Sequence, residues 1–236
     1  MTSALNSTIF SKIVVALTGL IMYGFVLGHL TGNLLIFQGA EPLNAYGQFL
    51  VDLGGGLWIA RIVLLVSVLL HIVYTLKLNA RNKMARKDAY KKWTPKKSTI
   101  ASRWMVTAGI TIMLFIILHL MHFTWGIIPV VDQQFELADG RMVHDIYSMV
   151  VAGFQNILYV IIYVLAIIGL SLHLKHGFHS VFQTLGFHGP ELTPKLQKVG
   201  LILAIIIAVG YISIPISVIA GIVKPLSGSA VVLLGL

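Results

Sequence analysis

Residues 13–37 read IVVALTGLIMYGFVLGHLTGNLLIF, a run with no Asp, Glu, Lys or Arg and one histidine, His29. A helix needs about 20 apolar residues to cross a hydrocarbon layer about 30 Å thick, and this run exceeds that length. It lacks the alternation of period two that a barrel strand would show. Four further runs of the same kind follow at 57–78, 104–128, 148–174 and 199–223. The C-terminal VVLLGL is too short to cross. The expected fold is therefore an all-α integral membrane protein: a single membrane domain over 1–236, built as a five-transmembrane-helix bundle.

Composition agrees. The 236 residues are 57% hydrophobic and 11% charged, where soluble domains carry about 25% charged residues. A soluble chain of this size could not cover its surface with so few polar groups. There is no cysteine, which excludes an iron–sulfur cluster held by this chain, a covalently attached c-type haem, disulfides and a thiolate zinc site. The first apolar run continues past signal-peptide length without an A-x-A-like site, so no cleavable signal is expected. No Gly-rich phosphate loop, HExxH motif or serine-nucleophile elbow is present.

The charges orient the spans. Seventeen Lys and Arg stand against eight Asp and Glu. From Lys77 to Arg103, between the second and third spans, ten residues are basic and one, Asp88, is acidic. The loop between spans one and two carries Glu41 and Asp52. The next loop on that side carries Asp132, Glu136, Asp139 and Asp145 against Arg141 alone. Lys12 precedes the first span, and Lys175, Lys195 and Lys198 flank the last loop. Short basic loops stay in the cytoplasm, so the N-terminus is expected to be cytoplasmic, in the cell's inner (cytoplasmic) membrane. Lys224, at the far end, runs against the pattern. The basic cluster has two open readings: attraction to anionic membrane lipid or docking of a cytoplasmic partner. Its position beside membrane spans argues against nucleic acid.

Four of the nine histidines fall in successive spans: His29, His71, His119 and His173. Ionisable groups in hydrocarbon are costly and normally face the protein interior with a function. At 1.5 Å per residue, His29 lies roughly 26 Å beyond Lys12 and His119 roughly 24 Å beyond Arg103. These two share one depth. His71 lies roughly 9 Å before Lys77, and His173 is two residues from Lys175, on the cytoplasmic side. Two pairs at two depths suit two bis-imidazole haems stacked across the membrane, because a six-coordinate haem iron takes one axial ligand from each face. Gly24, Gly28 and Gly32 around His29, and Gly169 one turn before His173, provide small residues; ordinary close helix packing also accounts for them. His119 with His122, or His173 with His176 and His179, have a spacing that suits zinc or copper, although no carboxylate or thiolate accompanies them. His122 is an alternative to His119 as ligand. His176 and His179 are expected at the inner interface, and His144 and His188 in loops.

Taken in order, LGHLTGN (27–33), GAEPLN (39–44), HIVY (71–74), GITIMLFIILH (109–119) and LHLKHGFHS (172–180) resemble a known family over about residues 5–220. This family is the five-helix, di-haem cytochrome b anchor subunit of succinate dehydrogenases and fumarate reductases, the succinate:quinone oxidoreductases. The resemblance implies one axial ligand from each of the first four helices, the first pairing with the third and the second with the fourth. Carried onto this chain, His29 and His119 hold an outer haem b, and His71 and His173 an inner one. It further implies a cytoplasmic flavoprotein and iron–sulfur protein on the inner face. Electrons then pass between succinate or fumarate and a membrane quinone, usually menaquinone, and the complex can form higher oligomers. Some family members carry an acid two positions before the fourth ligand. Ser171 stands there here, which speaks against a proton route at that position.

A quinone site needs a proton-exchanging group near the membrane surface. Asp52, expected near the level of His29, is the candidate, against the alternative of a solvated loop carboxylate. Two other readings remain beside the leading one. One is the cytochrome b of a different membrane oxidoreductase, of hydrogenase or formate dehydrogenase type. The other is a transporter relaying protons through intramembrane histidines, although the repeated, broken helices of such proteins are missing.

Overall fold

The computed structural model describes residues 7–85 and 100–226, with the side chains of 100–102 left aside. Seven α-helices and one short hairpin occur among them. They are α1 (Thr8–Asn33), α2 (Ala40–Asp52), α3 (Gly55–Met84), α4 (Ile100–Phe123), β1 (Gln134–Glu136), β2 (Met142–His144), α5 (Ile146–Gly153), α6 (Ile157–Thr184) and α7 (Leu192–Ile219). A 3-10 turn, Leu34–Gln38, prolongs α1. Five helices are long and apolar enough to cross a membrane: α1 with its 3-10 turn, α3, α4, α6 and α7. Large side chains such as Trp58, Leu65, Leu165 and Val209 are exposed along them. That surface is untenable in water but suits lipid. The fold is a multi-pass, helical membrane protein.

The helices depart from the expected spans: α3 runs on to Met84 rather than 78, and α7 covers Leu192–Ile219 rather than 199–223. The fourth run does not form one helix over 148–174. It is divided at 154–156, where Asn156 Oδ1 accepts from Leu158 N at the start of α6. Residues 146–153 form the separate short helix α5, and α6 continues to Thr184. The third helix stops at Phe123 rather than 128, and Gly126 then takes φ +63° in the following turn. The segment expected as a loop after the first span folds into α2. Gly39 makes the turn into it at φ +108°, a conformation that residues with a side chain rarely adopt.

The chain divides into two compact units, each drawing on all five long helices. The first comprises 1–26, 60–111 and 169–205. Gly200 of α7 lies there against the Lys175 carbonyl and Phe178 of α6, where an added Cβ would come within 3.2 Å of both. Close backbone approach through small residues is the usual packing of membrane helices. The second unit comprises 27–59, 112–168 and 206–236. Its core gathers Ile36, Leu43, Val151, Phe154, Tyr163 and Ile214 among others. Gly210 of α7 abuts Leu30 of α1, where an added Cβ would come within 2.9 Å of that side chain.

The second unit also carries a polar cap built from α2, the hairpin and α5. Asn44 is fully buried; its amide donates to Asp145 Oδ1 at 2.9 Å, and its carbonyl accepts from Tyr147 N at 3.0 Å. Asp145, 1% exposed, caps α5 by accepting from Ser148 N and receives the Gln133 amide on Oδ2. Burial alone would raise the Asp145 pKa. The donors from Ser148, Gln133 and Asn44 outweigh it and hold the carboxyl below the ordinary carboxylate range.

Candidate functional site

Each unit contains one pair of the intramembrane histidines. In the second unit His29 comes from α1 and His119 from α4, and their ring centroids are 5.9 Å apart at an interplanar angle of 80°. Tyr211 of α7 lies 6.1 Å from the His29 ring. The His119 Nδ1 is 3.3 Å from the Tyr163 hydroxyl, which is also 3.1 Å from Nδ1 of His122. His122 is 1% exposed and stacks on Phe123 and Tyr159, with centroids at 4.0 and 4.4 Å. This packing gives His122 the surroundings of a buried, hydrogen-bonded core residue. Sequence spacing alone leaves His119 and His122 equivalent; the partner ring of His29 distinguishes them.

In the first unit His71 comes from α3 and His173 from α6. The His71 Nδ1 is 3.2 Å from the Val15 carbonyl and 3.2 Å from the Thr18 hydroxyl. Thr18 in turn donates to Val14 O at 2.7 Å, which turns its lone pairs toward the ring. With Nδ1–H donating to Val15 O, Nε2 is the unprotonated nitrogen, as a metal ligand requires. Gly19 of α1 makes room for this ring, since a Cβ there would lie 3.3 Å from His71 Cε1. A Cβ at Gly109 of α4 would lie 3.8 Å from His173 Cε1, an ordinary contact distance. Among the described residues Ser171 Oγ and His173 Nδ1 are buried without a hydrogen-bond partner, an arrangement that costs about 1–3 kcal/mol for each group unless something satisfies it.

The residues present fit haem better than a bare metal ion. The His29 and His119 rings come from separate helices with centroids 5.9 Å apart, and each could offer one imidazole nitrogen to a haem. A porphyrin supplies four of its own nitrogens, so two protein ligands suffice. A zinc or copper site needs three or four protein ligands, and among the described residues no three of His, Cys, Asp and Glu converge. His176 and His179 lie 5.0 Å apart as neighbouring rings on α6. Nothing lies within 4 Å of a Cβ built at Gly24, Gly28 or Gly169, so these glycines leave open space along α1 and α6. The helices that carry His71 and His119 bury almost none of their apolar windows.

Asp52 ends α2 half-exposed. Its Oδ1 accepts from Gln48 at 2.7 Å, and its Oδ2 pairs with Arg141 at 3.2 Å. Arg141 is also bound by Asp139 at 2.8 Å; hydrogen bonds to Arg141 lower the Asp139 pKa, and the same contacts raise that of Arg141. These contacts give Asp52 a structural task, tying α2 to the hairpin loop. Glu41 likewise accepts from Ala138 N at 2.9 Å. His144 pairs with Asp132 on the surface at 3.3 Å. In the basic cluster, Lys77, Arg81 and Lys83 sit in the last turns of α3, and Arg103 in the first turn of α4. Arg86, Lys87, Asp88, Lys91, Lys92, Lys96 and Lys97 lie outside the described residues. No protein-family model, curated protein or solved structure matches this chain.

Proposed function

We propose that this chain is the haem b-bearing membrane anchor of a succinate:quinone oxidoreductase. In this reading one haem is held by His29 with His119 and a second by His71 with His173. The observation that carries it is the pairing of His29 and His119 from separate helices, with ring centres 5.9 Å apart. The placing of His71 and His173 together in the other unit supports it further. Haem, when bound, supplies reversible one-electron exchange at its iron. The chain's residues do the rest. Val15 O and Thr18 hold the His71 ring by its Nδ1, and Tyr163 holds that of His119. Gly19 admits the His71 ring, and the apolar spans keep water away.

The same reading assigns the basic inner face to docking of a flavoprotein and an iron–sulfur subunit in the cytoplasm. The chain has no cysteine to carry a cluster of its own. The N-terminus is cytoplasmic and the membrane is the inner one, as the basic excess implies; the electron partner in the membrane is a quinone of the menaquinone type. The test is purification from membranes supplied with haem, followed by a reduced-minus-oxidised spectrum and identification of co-purifying chains. A b-type alpha band together with a flavoprotein and an iron–sulfur protein is the expected result. A haem-free chain, or a haem-loaded chain that retains hydrogenase or formate dehydrogenase subunits instead, would overturn the assignment.

A further inference from the structure

His122 is a buried ionisable group that ligation leaves without a task, and its contacts suggest one. Among the described residues its hydrogen-bond partner is the Tyr163 hydroxyl at 3.1 Å, and that same hydroxyl stands 3.3 Å from the His119 Nδ1. We propose that Tyr163 and His122 form a directed hydrogen-bond chain that fixes the Nδ1 proton of His119 and sets how strongly this ligand donates to iron. The inference rests on the haem reading above.

The direction follows from proton counting. A histidine that binds iron through Nε2 keeps its proton on Nδ1. The Tyr163 oxygen must then accept from His119, which leaves its own proton to be donated elsewhere. His122 Nδ1 is the acceptor in reach, so His122 carries its proton on Nε2. The opposite direction would place the proton on Nε2 of His119 and block ligation. Both members are held in place for this. Tyr163 is 4% exposed and is met edge-on by Phe115 and Phe154, with centroids at 5.0 and 4.9 Å. His122 stacks on Phe123 and Tyr159, and a Cβ at Gly153 would lie 3.1 Å from its Nε2.

An acceptor on the far nitrogen makes an axial imidazole more basic, and that favours the oxidised iron. Onward donation from Tyr163 to His122 strengthens the acceptance. His71 has a different acceptor, the Val15 carbonyl, so the two haems are tuned by different means. Tyr163 and His122 are positioning residues in this scheme, acting through His119.

Redox titration of the haem-loaded protein tests it, with low-temperature electron paramagnetic resonance of the low-spin signals. Tyr163→Phe keeps the ring and removes the oxygen. It should retain both haems, raise one midpoint potential and leave the other unmoved. His122→Leu should shift the same midpoint upward by less, while His122→Gln, which keeps an acceptor, should stay near the parent value. If Tyr163→Phe fails to assemble, the contrast between Leu and Gln at 122 decides. Unmoved midpoints and signals in the haem-loaded variants would overturn the hydrogen-bond chain alone. A parent chain that binds no haem would overturn this proposal and the haem reading together.

Discussion

Gly19 and His71 show how much a single position can decide. A methyl group added at Gly19 would lie 3.3 Å from His71 Cε1, so the neighbour must give by a few tenths of an ångström, and a branched side chain would push the ring off its Val15 and Thr18 partners. Gly19→Val is expected to lose the haem of the His71 pair and keep that of the His29 pair, read from haem content and spectrum; loss of both together would contradict this. The ligand series follows the same logic. His29→Ala and His119→Ala should each remove or turn high-spin one haem, and His71→Ala and His173→Ala the other. Should His122→Ala rather than His119→Ala remove the haem of His29, the ligand choice on α4 would be wrong. The four histidines are legible in the sequence because an imidazole inside an apolar run is conspicuous. Their partners are not. Val15 lies 56 residues from His71, and Tyr163 lies 44 from His119, so no local pattern announces either contact.

At the scale of elements, the five long apolar helices follow directly from composition, since twenty residues without charge have few other fates. The intervening segments do not. GAEPLN contains Gly, Pro and Asn, and so reads as a turn, yet residues 40–52 are helical because Asn44 is fully buried beneath α5, bound to Asp145 and Tyr147. Asp145 ends the apolar run on its N-terminal side as a helix cap, a role that charge counting reads only as an outer-loop acid. Asn44→Ala would leave Tyr147 N and one Asp145 oxygen with one partner fewer in a buried site, a loss of about 2–4 kcal/mol, measurable as a lowered unfolding temperature in detergent. The Asp145 pKa is held below its usual value. Its stabilisation is therefore fully present above the unfolded value of about 3.9 and lost as pH falls through the lower folded value. Stability from this cap should be flat between pH 5 and 7 and decline below about pH 4. Asp145→Asn should be less stable at neutral pH and show less of that acid decline; an unchanged acid profile would remove Asp145 from the account.

For the whole molecule, orientation rests on the basic excess between Lys77 and Arg103, and the absence of native cysteine makes it directly measurable. A single cysteine placed between residues 86 and 99 should resist a membrane-impermeant label in right-side-out vesicles and react in inverted ones. Labelling from outside would reverse the assignment of faces. The central claim is that two pairs of histidines each hold one haem. The most direct measurement is the pyridine haemochrome content of the purified, haem-supplied protein against its chain concentration. The account predicts two haem b per chain; a ratio of one or none would contradict it.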